Sequence, residues 1–398
     1  MTVMSVSVDA TDGWVFDGLL QRVGTGPHGV LLADGQAWGA HVARVPAGAL
    51  FMRRVTLTVA LRFEAAAADA WDLRFEVAQP EFGALFTLAP DGTLTRGALC
   101  DAASVETRDG GFVVTARFIG RGQSLTVGFR QGDGDYMGEG RALAALSRFD
   151  PATAPADDWL DEVPAAEKLV LVDVGAAAGL QPAWLRHAQH VAPVLFEPNP
   201  AEARVLRAQI GRMPGGRVIE QGLAHRPGAR TLHVAHWFGC TSMRRPNTDV
   251  LGQYRIAPLF ETVGEVTVDC TRYDLLHAAG AVPAPDVVKL DVEGFEYEVL
   301  LGFGGLLETC LGVETEAAHY PVYQGQALLG DIVELLARFG LVLRRTEPVP
   351  GFEGDEVIVN AFFTRNRAAV AALEPARRRK FARLCAVWSL PPYPDVTP

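Results

Sequence analysis

The stretch Leu169–Pro200, LVLVDVGAAAGLQPAWLRHAQHVAPVLFEPNP, decides the fold. It reads strand, glycine turn, helix, strand. The apolar run Leu169–Val172 has the length of a strand buried on both faces. It ends on Asp173, and Gly175 and Gly179 bracket a turn of alanines, Ala176 among them, whose small side chains let backbone approach a ligand closely. Pro182 stands near the start of the following helix, where its missing N–H costs little. The second strand, Ala192–Phe196, delivers Glu197 to the same sheet edge, with Pro198 after it. A carboxylate there accepts hydrogen bonds from both hydroxyls of a ribose, and nucleoside ligands bind outside the carboxyl ends of such strands. Asn199 is placed to cap a helix beginning at Pro200.

The turn also selects among nucleosides. Dinucleotide sites use G-x-G-x-x-G, because a pyrophosphate must lie against the helix N-terminus. Here the pattern is Asp173-x-Gly175-x-x-x-Gly179. An acid before the turn disfavours a diphosphate and suits a cationic amino-acid ligand. S-adenosylmethionine has ribose, adenine, a sulfonium and an ammonium, and no phosphate, so it is the expected cofactor. A segment after a third strand, Gln221, Gly222 and Leu223, is expected to cover its adenine.

A second strand-to-helix motif, Pro285–Gly302, reads PDVVKLDVEGFEYEVLLG. Val287, Val288 and Leu290 form a buried strand, and Asp291 and Glu293 leave its carboxyl end towards the same crevice. DVGAAAG, FEPNP and VKLDVEGFEYEVLLG, in this order, resemble the FkbM family of S-adenosylmethionine-dependent methyltransferases. The resemblance covers roughly residues 169–365, with Gly239–Met243 like the family's small-polar loop and Val266–Leu276 like its strand-to-helix segment. Ile332–Gly340 and Leu341–Leu343 resemble its last helix and strand. One departure is Ala177, where the family's turn often carries Asn. The resemblance implies a Rossmann-like class I methyltransferase domain.

Methyl transfer to oxygen needs a nucleophile aligned with the methyl group, and a nearby base can take its proton. Asp291 and Glu293 are the candidates, with His319 second because an unperturbed imidazole titrates near neutrality. Asp291 is also placed to touch the cofactor. A plainer reading has Asp291 satisfying backbone N–H groups while Glu293 pairs with Lys289. Glu314 and Glu316 reach the same sheet edge, and Thr241–Arg244 form a polar lip over it. Two acids invite a divalent cation, but with no convergent histidine no metal is expected. His233 and His236 read as ordinary strand and loop residues, and Arg377–Lys380 as a solvated helix face.

Upstream of this domain the pattern changes. In Arg54–Glu64, Val55, Leu57, Val59, Leu61 and Phe63 alternate with polar residues. Phe112–Phe118 and Leu125–Phe129 alternate too, and Asp34-Gly35, Asp91-Gly92 and Asp109-Gly110 sit between such runs as hairpin turns. Residues 1–149 therefore read as a β-sandwich, and ALFTLAPDGTLTRGA with VETRDGGFVVTARF resembles jelly-roll carbohydrate-binding modules. Trp14, Trp38, Trp71 and Tyr136 are candidate sugar-stacking platforms, with packing the plainer role. Residues 150–168, rich in Pro, Ala and acids, read as a linker, and 366–398 as a helix and proline-rich tail.

Composition bounds the rest. The 398 residues suit two domains, and 49% hydrophobic with 21% charged residues predicts packed cores. A net charge of −11 disfavours a nucleic-acid partner. No run approaches a membrane span and no signal peptide is evident. Five scattered cysteines predict free thiols in a cytoplasmic setting. The expected function is S-adenosylmethionine-dependent O-methylation of a sugar or glycan hydroxyl. The alternatives are an NAD-dependent oxidoreductase and a non-catalytic glycan-binding protein.

Overall fold

The computed structural model describes residues 15–16, 20–26, 29–34, 41–47, 50–66, 73–80, 82–122, 124–131, 142–153, 159–177 and 179–394. Trp14, Trp38, Trp71, Tyr136 and Gly35 lie outside the described residues. The chain divides into two compact units, Met1–Trp159 and Leu160–Pro398.

The first unit holds two six-stranded antiparallel sheets whose inward residues share one core. The alternation in Arg54–Ala66 is realised: Val55, Leu57, Val59 and Leu61 are at most 2% exposed, while Thr56 and Glu64 face outward. Val114, Ala116 and Phe118 from Gly111–Ile119, and Leu125, Val127 and Phe129 from Ser124–Gln131, enter the same core. Asp109 and Gly110 both have positive φ, 53° and 76°, as the tight turn between paired strands requires. The strand Ala142–Thr153 runs four residues past the expected boundary at 149, pairing Asp150–Thr153 with Thr58–Val55. Pro151 fits because, among the described residues, this part of the strand pairs on one side only.

The second unit is built on a seven-stranded sheet. Its strands are β1 (Leu169–Val174), β2 (Val191–Phe196), β3 (Arg217–Ile219), β4 (Val287–Leu290), β5 (Gly312–Ala318), β6 (Leu341–Pro348) and β7 (Ile358–Arg365). They lie in the order β3-β2-β1-β4-β5-β7-β6, parallel except for β7, which is antiparallel to both neighbours. β6 is thus not the last strand; β7 follows it in the chain and inserts between β5 and β6. The order reverses between β1 and β4, the switch point at which doubly wound sheets bind ligands. Gly222–Leu223, Gly228–Ala235 and Thr262–Thr271 form a three-stranded side sheet.

Local signals hold where they were strongest. Pro182 opens the helix Pro182–Arg186. The Asn199 side chain accepts from Ala201 N at 2.9 Å and caps the helix Pro200–Ile210. All five cysteines are buried and unpaired. The tail departs from expectation. Arg377 and Lys380, on the helix Pro375–Val387, are not a solvated face: they meet the buried Asp286 carboxylate at 3.2 and 2.6 Å. The same carboxylate accepts from Val170 N, so the tail helix is tied to the entry of β1. Arg383 similarly pairs with Glu167 at 2.9 Å. No helix among the described residues is long and apolar enough to cross a membrane.

Candidate functional site

Three adjacent strands place charges side by side at the switch point. Asp173 on β1 lies opposite Lys289 on β4, and Lys289 lies opposite Glu314 on β5. Laterally paired residues of parallel strands share a face, so the three form a buried row. Asp173 is 0%, Lys289 5% and Glu314 7% exposed. Lys289 Nζ is 3.1 Å from Asp173 Oδ1 and 3.3 Å from Asp291 Oδ2. Burial alone would lower the lysine pKa, but Asp173, Asp291 and Glu314 hold it above its ordinary range. Burial raises the Asp173 pKa, with Lys289 acting against it. The Trp388 indole N–H donates to Glu314 Oε2 at 2.8 Å, and burial still pushes this carboxyl up to about 7.

The turn after β4 builds a second layer. Glu293 and Gly294 both adopt left-handed backbone, at φ 55° and 88°. A Cβ on Gly294 would stand 2.6 Å from the Tyr323 ring, so only glycine fits there. Glu296 holds the turn by accepting from Val292 N at 3.2 Å and Gly294 N at 3.1 Å, and burial raises its carboxyl to about 7. The Ser242 hydroxyl donates to the Glu293 carbonyl, and Tyr323 OH donates to Glu293 Oε2 at 2.7 Å. Carboxylate oxygens of Asp291, Glu293 and Glu316 lie within 4.8 Å of one another, close enough to hold a metal ion. Burial, then the neighbouring charges of Asp291 and Glu296, pushes Glu316 up to about 8. Burial, then Glu316 and Asp291, raises Glu293 well above the carboxylate range.

On the cofactor side, Glu197 is 4% exposed at the end of β2, its Oε1 accepting from Asn199 N at 2.7 Å. Burial raises its pKa. Gly175 and Gly179 both have φ of 81°, and a Cβ on Gly175 would come within 1.9 Å of the Asp291 carbonyl. The turn therefore packs directly on the end of β4. Asp173, Asp291, Glu314 and Glu316 act on Lys289, and Glu293 and Glu296 lie beside Asp291 and Glu316. That donor set suits a ligand carrying a sulfonium and an ammonium, and repels a pyrophosphate.

Several expected roles change. Asp173 faces Lys289 and has no exposed surface, so it supports the site from beneath rather than touching a ligand. Leu223 is 2% exposed with its side chain in the core, and Gly222 packs against Cys270 and Met243, so any contact these two make with a ligand is through backbone. The Gln221 amide reaches Asp269 Oδ2 at 3.3 Å. Glu293 does not pair with Lys289; Asp173 and Asp291 do, and Glu296 rather than Asp291 accepts the backbone N–H groups of the turn. His319 is exposed, with its backbone N–H donating to Val357 O. Ala176 is 1% exposed and, with Gly175, donates its N–H to the Phe196 carbonyl. Pro198 lies between Glu197 and the cap Asn199. Tyr323 has no local motif that announces it; its role appears only once the chain is folded. Glu316 had a signal, its two-residue spacing from Glu314 on one strand.

Residues 173–343 match the methyltransferase FkbM domain. This part of the chain is an FkbM methyltransferase domain. The protein is an S-adenosylmethionine-dependent methyltransferase. It is similar to the 2-O-methyltransferase NoeI of Sinorhizobium fredii, 28% identical over 172 residues, 42% of this chain and 68% of that protein. It is also similar to the hexuronic acid methyltransferase AglP of Haloferax volcanii, 31% identical over 146 residues, 36% of this chain and 54% of that protein. Among solved structures it resembles the magnesium protoporphyrin IX methyltransferase ChlM of Synechocystis with bound S-adenosylmethionine, at 13% identity and a TM-score of 0.28 over 52% of this chain and 75% of that one. The FkbM domain match runs from Asp173 in β1 into β6 and so contains both acidic layers.

Proposed function

We propose that the protein O-methylates a sugar hydroxyl. The observation that carries this reading is the carboxylate group of Asp291, Glu293 and Glu316 at the switch-point edge, within 4.8 Å of one another and beside the cofactor turn. The names of its relatives, a 2-O-methyltransferase and a hexuronic acid methyltransferase, agree in acceptor chemistry. When bound, S-adenosylmethionine supplies an electrophilic methyl group. Glu197 would hold the ribose hydroxyls, and the turn at Gly175–Gly179 would approach through backbone. Asp291, beside Lys289 Nζ at 3.3 Å, accepts a hydrogen bond from a sugar hydroxyl and orients it. The Glu293–Glu316 pair takes the proton. Its raised pKa brings a carboxylate near the working pH, where general bases are most effective. Tyr323 fixes Glu293 by its hydroxyl, and Lys289 positions Asp291.

The first unit is proposed as a jelly-roll module that brings a glycan to this site; its two antiparallel sheets on one core support that reading. Isothermal titration with S-adenosylhomocysteine and with NAD tests the cofactor reading. Binding of the first without the second supports methyl transfer, and the reverse supports an oxidoreductase.

A further inference from the structure

The turn that follows the side-sheet strand Gly228–Ala235 carries an indole that folding leaves uncovered. Trp237 is 55% exposed, whereas Trp159, Trp184 and Trp388 are at most 3% exposed. Phe238 beside it is 52% exposed. The indole is nevertheless held in place. The Trp237 backbone N–H donates to the Leu259 carbonyl at 3.0 Å, and its carbonyl accepts from Cys240 N at 2.9 Å across the turn Phe238–Cys240. A Cβ on Gly239 would stand 2.7, 2.8 and 2.9 Å from three adjacent carbons of the six-membered ring. Such near-equal distances belong to an approach over the ring face, since an edge-on approach would leave the outer two carbons well beyond the middle one. One face of the indole therefore lies on glycine backbone, and its exposure belongs to the other face and the rim. A side chain at position 239 would lift the ring.

This turn is tied to the acidic layer. Tyr323 OH lies 3.1 Å from the Cys240 carbonyl and 2.7 Å from Glu293 Oε2, so one hydroxyl joins the turn to the proposed base. The Ser242 hydroxyl donates to the Glu293 carbonyl. Burial, then the charges of Glu293 and Glu316, pushes the Cys240 thiol up to about 12, as a side chain beside both carboxylates requires. Trp237 stands one tight turn before Cys240, about 6 Å along the chain at the rise of a 3₁₀ helix. The plate thus belongs to the rim of the carboxylate cluster.

The chemistry of the rim selects an occupant. No side chain in Trp237–Met243 is charged, and the Thr241 and Ser242 hydroxyls are engaged by Ala235 N, Arg244 N and the Glu293 carbonyl. The turn offers a ring face, and the hydrogen-bonding groups next to it are the carboxylates of Asp291, Glu293 and Glu316. A pyranose has both complements, an apolar C–H face and a rim of hydroxyls. A lipid chain or an apolar helix would leave the carboxylates it covers without partners. We infer that Trp237, laid flat on Gly239, is the stacking platform for a pyranose of the acceptor. The inference rests on the sugar-methylation reading and deepens it, because a sugar held by its face presents its hydroxyls to the carboxylates in a fixed orientation.

Calorimetry on the full chain saturated with S-adenosylhomocysteine, with maltotetraose, cellotetraose, chitotetraose and tetragalacturonic acid as probes, tests it. At least one probe should bind. Its Kd should rise at least about fivefold in Trp237→Ala, which removes the plate, and in Gly239→Val, which displaces the ring without removing it. Trp237→Tyr keeps an aromatic ring and should stay within about twofold of the native value. Affinity for S-adenosylhomocysteine should be unchanged in all three. No binding of any probe, or a Kd unchanged in Trp237→Ala, overturns the inference. So does sedimentation with phosphatidylcholine vesicles that Trp237→Ala abolishes while sugar binding stays native, since the ring then serves a lipid surface. The two readings fail separately. Sugar binding that depends on Trp237, with no methyl transferred to any sugar, keeps the platform and removes the proposed reaction. Methyl transfer to a sugar with KM unaltered in Trp237→Ala keeps the reaction and removes the platform.

Discussion

Replacing Lys289 by Met removes the cation that faces a fully buried carboxylate. Asp173 has no exposed surface and its charge is met by Lys289 Nζ at 3.1 Å. Taking away one member of a buried pair costs about 3–5 kcal/mol, because the other charge is left uncompensated. The variant should lose that much stability at neutral pH. The pH dependence follows from the directions of the shifts. In the native protein the lysine pKa is raised, so its contribution is fully present below the unfolded value of about 10.4 and is lost only as pH rises through the folded value. The lysine's own contribution is therefore constant up to about pH 9. In Lys289→Met the buried Asp173 binds a proton that the unfolded chain has released. Its stability should fall as pH rises from the unfolded carboxylate value of about 3.9 towards the new folded value. Urea unfolding read by tryptophan fluorescence suits this measurement, since Trp184 and Trp388 stack edge to face at 6.2 Å and Trp388 donates to Glu314 in the same row. Adding Asp173→Asn to Lys289→Met should recover most of the loss. A cost below about 1 kcal/mol, or a double variant no more stable than the single one, would refute the charge row as a structural unit.

Four further expectations concern the site. Glu197→Ala should weaken binding of S-adenosylhomocysteine by about 1.5–3 kcal/mol in calorimetry, as for hydrogen bonds to a charged group; unchanged affinity means that the ribose lies elsewhere. Methyl transfer should rise with pH and level off near the Glu316 value of about 8, because the base must be ionised. Glu316→Gln should lower turnover by about 10²–10⁴-fold and abolish that limb, and a variant with the native profile assigns the base elsewhere. Turnover should survive EDTA; loss of activity restored by a divalent cation would make Asp291, Glu293 and Glu316 its ligands.

What was legible in the sequence was local. Strand length, the carboxylates at strand ends, the Asn199 cap and the Asp109-Gly110 turn each depend on neighbours within a few positions. What was not legible depends on register. Lys289 and Asp173 are 116 positions apart, and only the pairing of β1 with β4 reveals that they face each other. A lysine two residues from Asp291 and four from Glu293 offers several partners by spacing alone, and the wrong one, Glu293, was the natural choice. Arg377 and Lys380 read as solvated because basic helix faces usually are. Their buried partner Asp286 lies about ninety positions earlier, at the end of a loop with no periodic signal. Tyr323 looked like any loop aromatic, yet Gly294 gives way to its ring and its hydroxyl holds Glu293.

The most direct measurement is transfer of isotopically labelled methyl from S-adenosylmethionine to oligosaccharides containing neutral and hexuronic residues, with the product located by mass spectrometry after alkaline treatment. The account predicts label retained on a ring carbon as an alkali-stable ether, lost in Glu316→Gln while cofactor binding persists. Label released by alkali as a methyl ester, or no transfer from a chain that binds the cofactor, would contradict it.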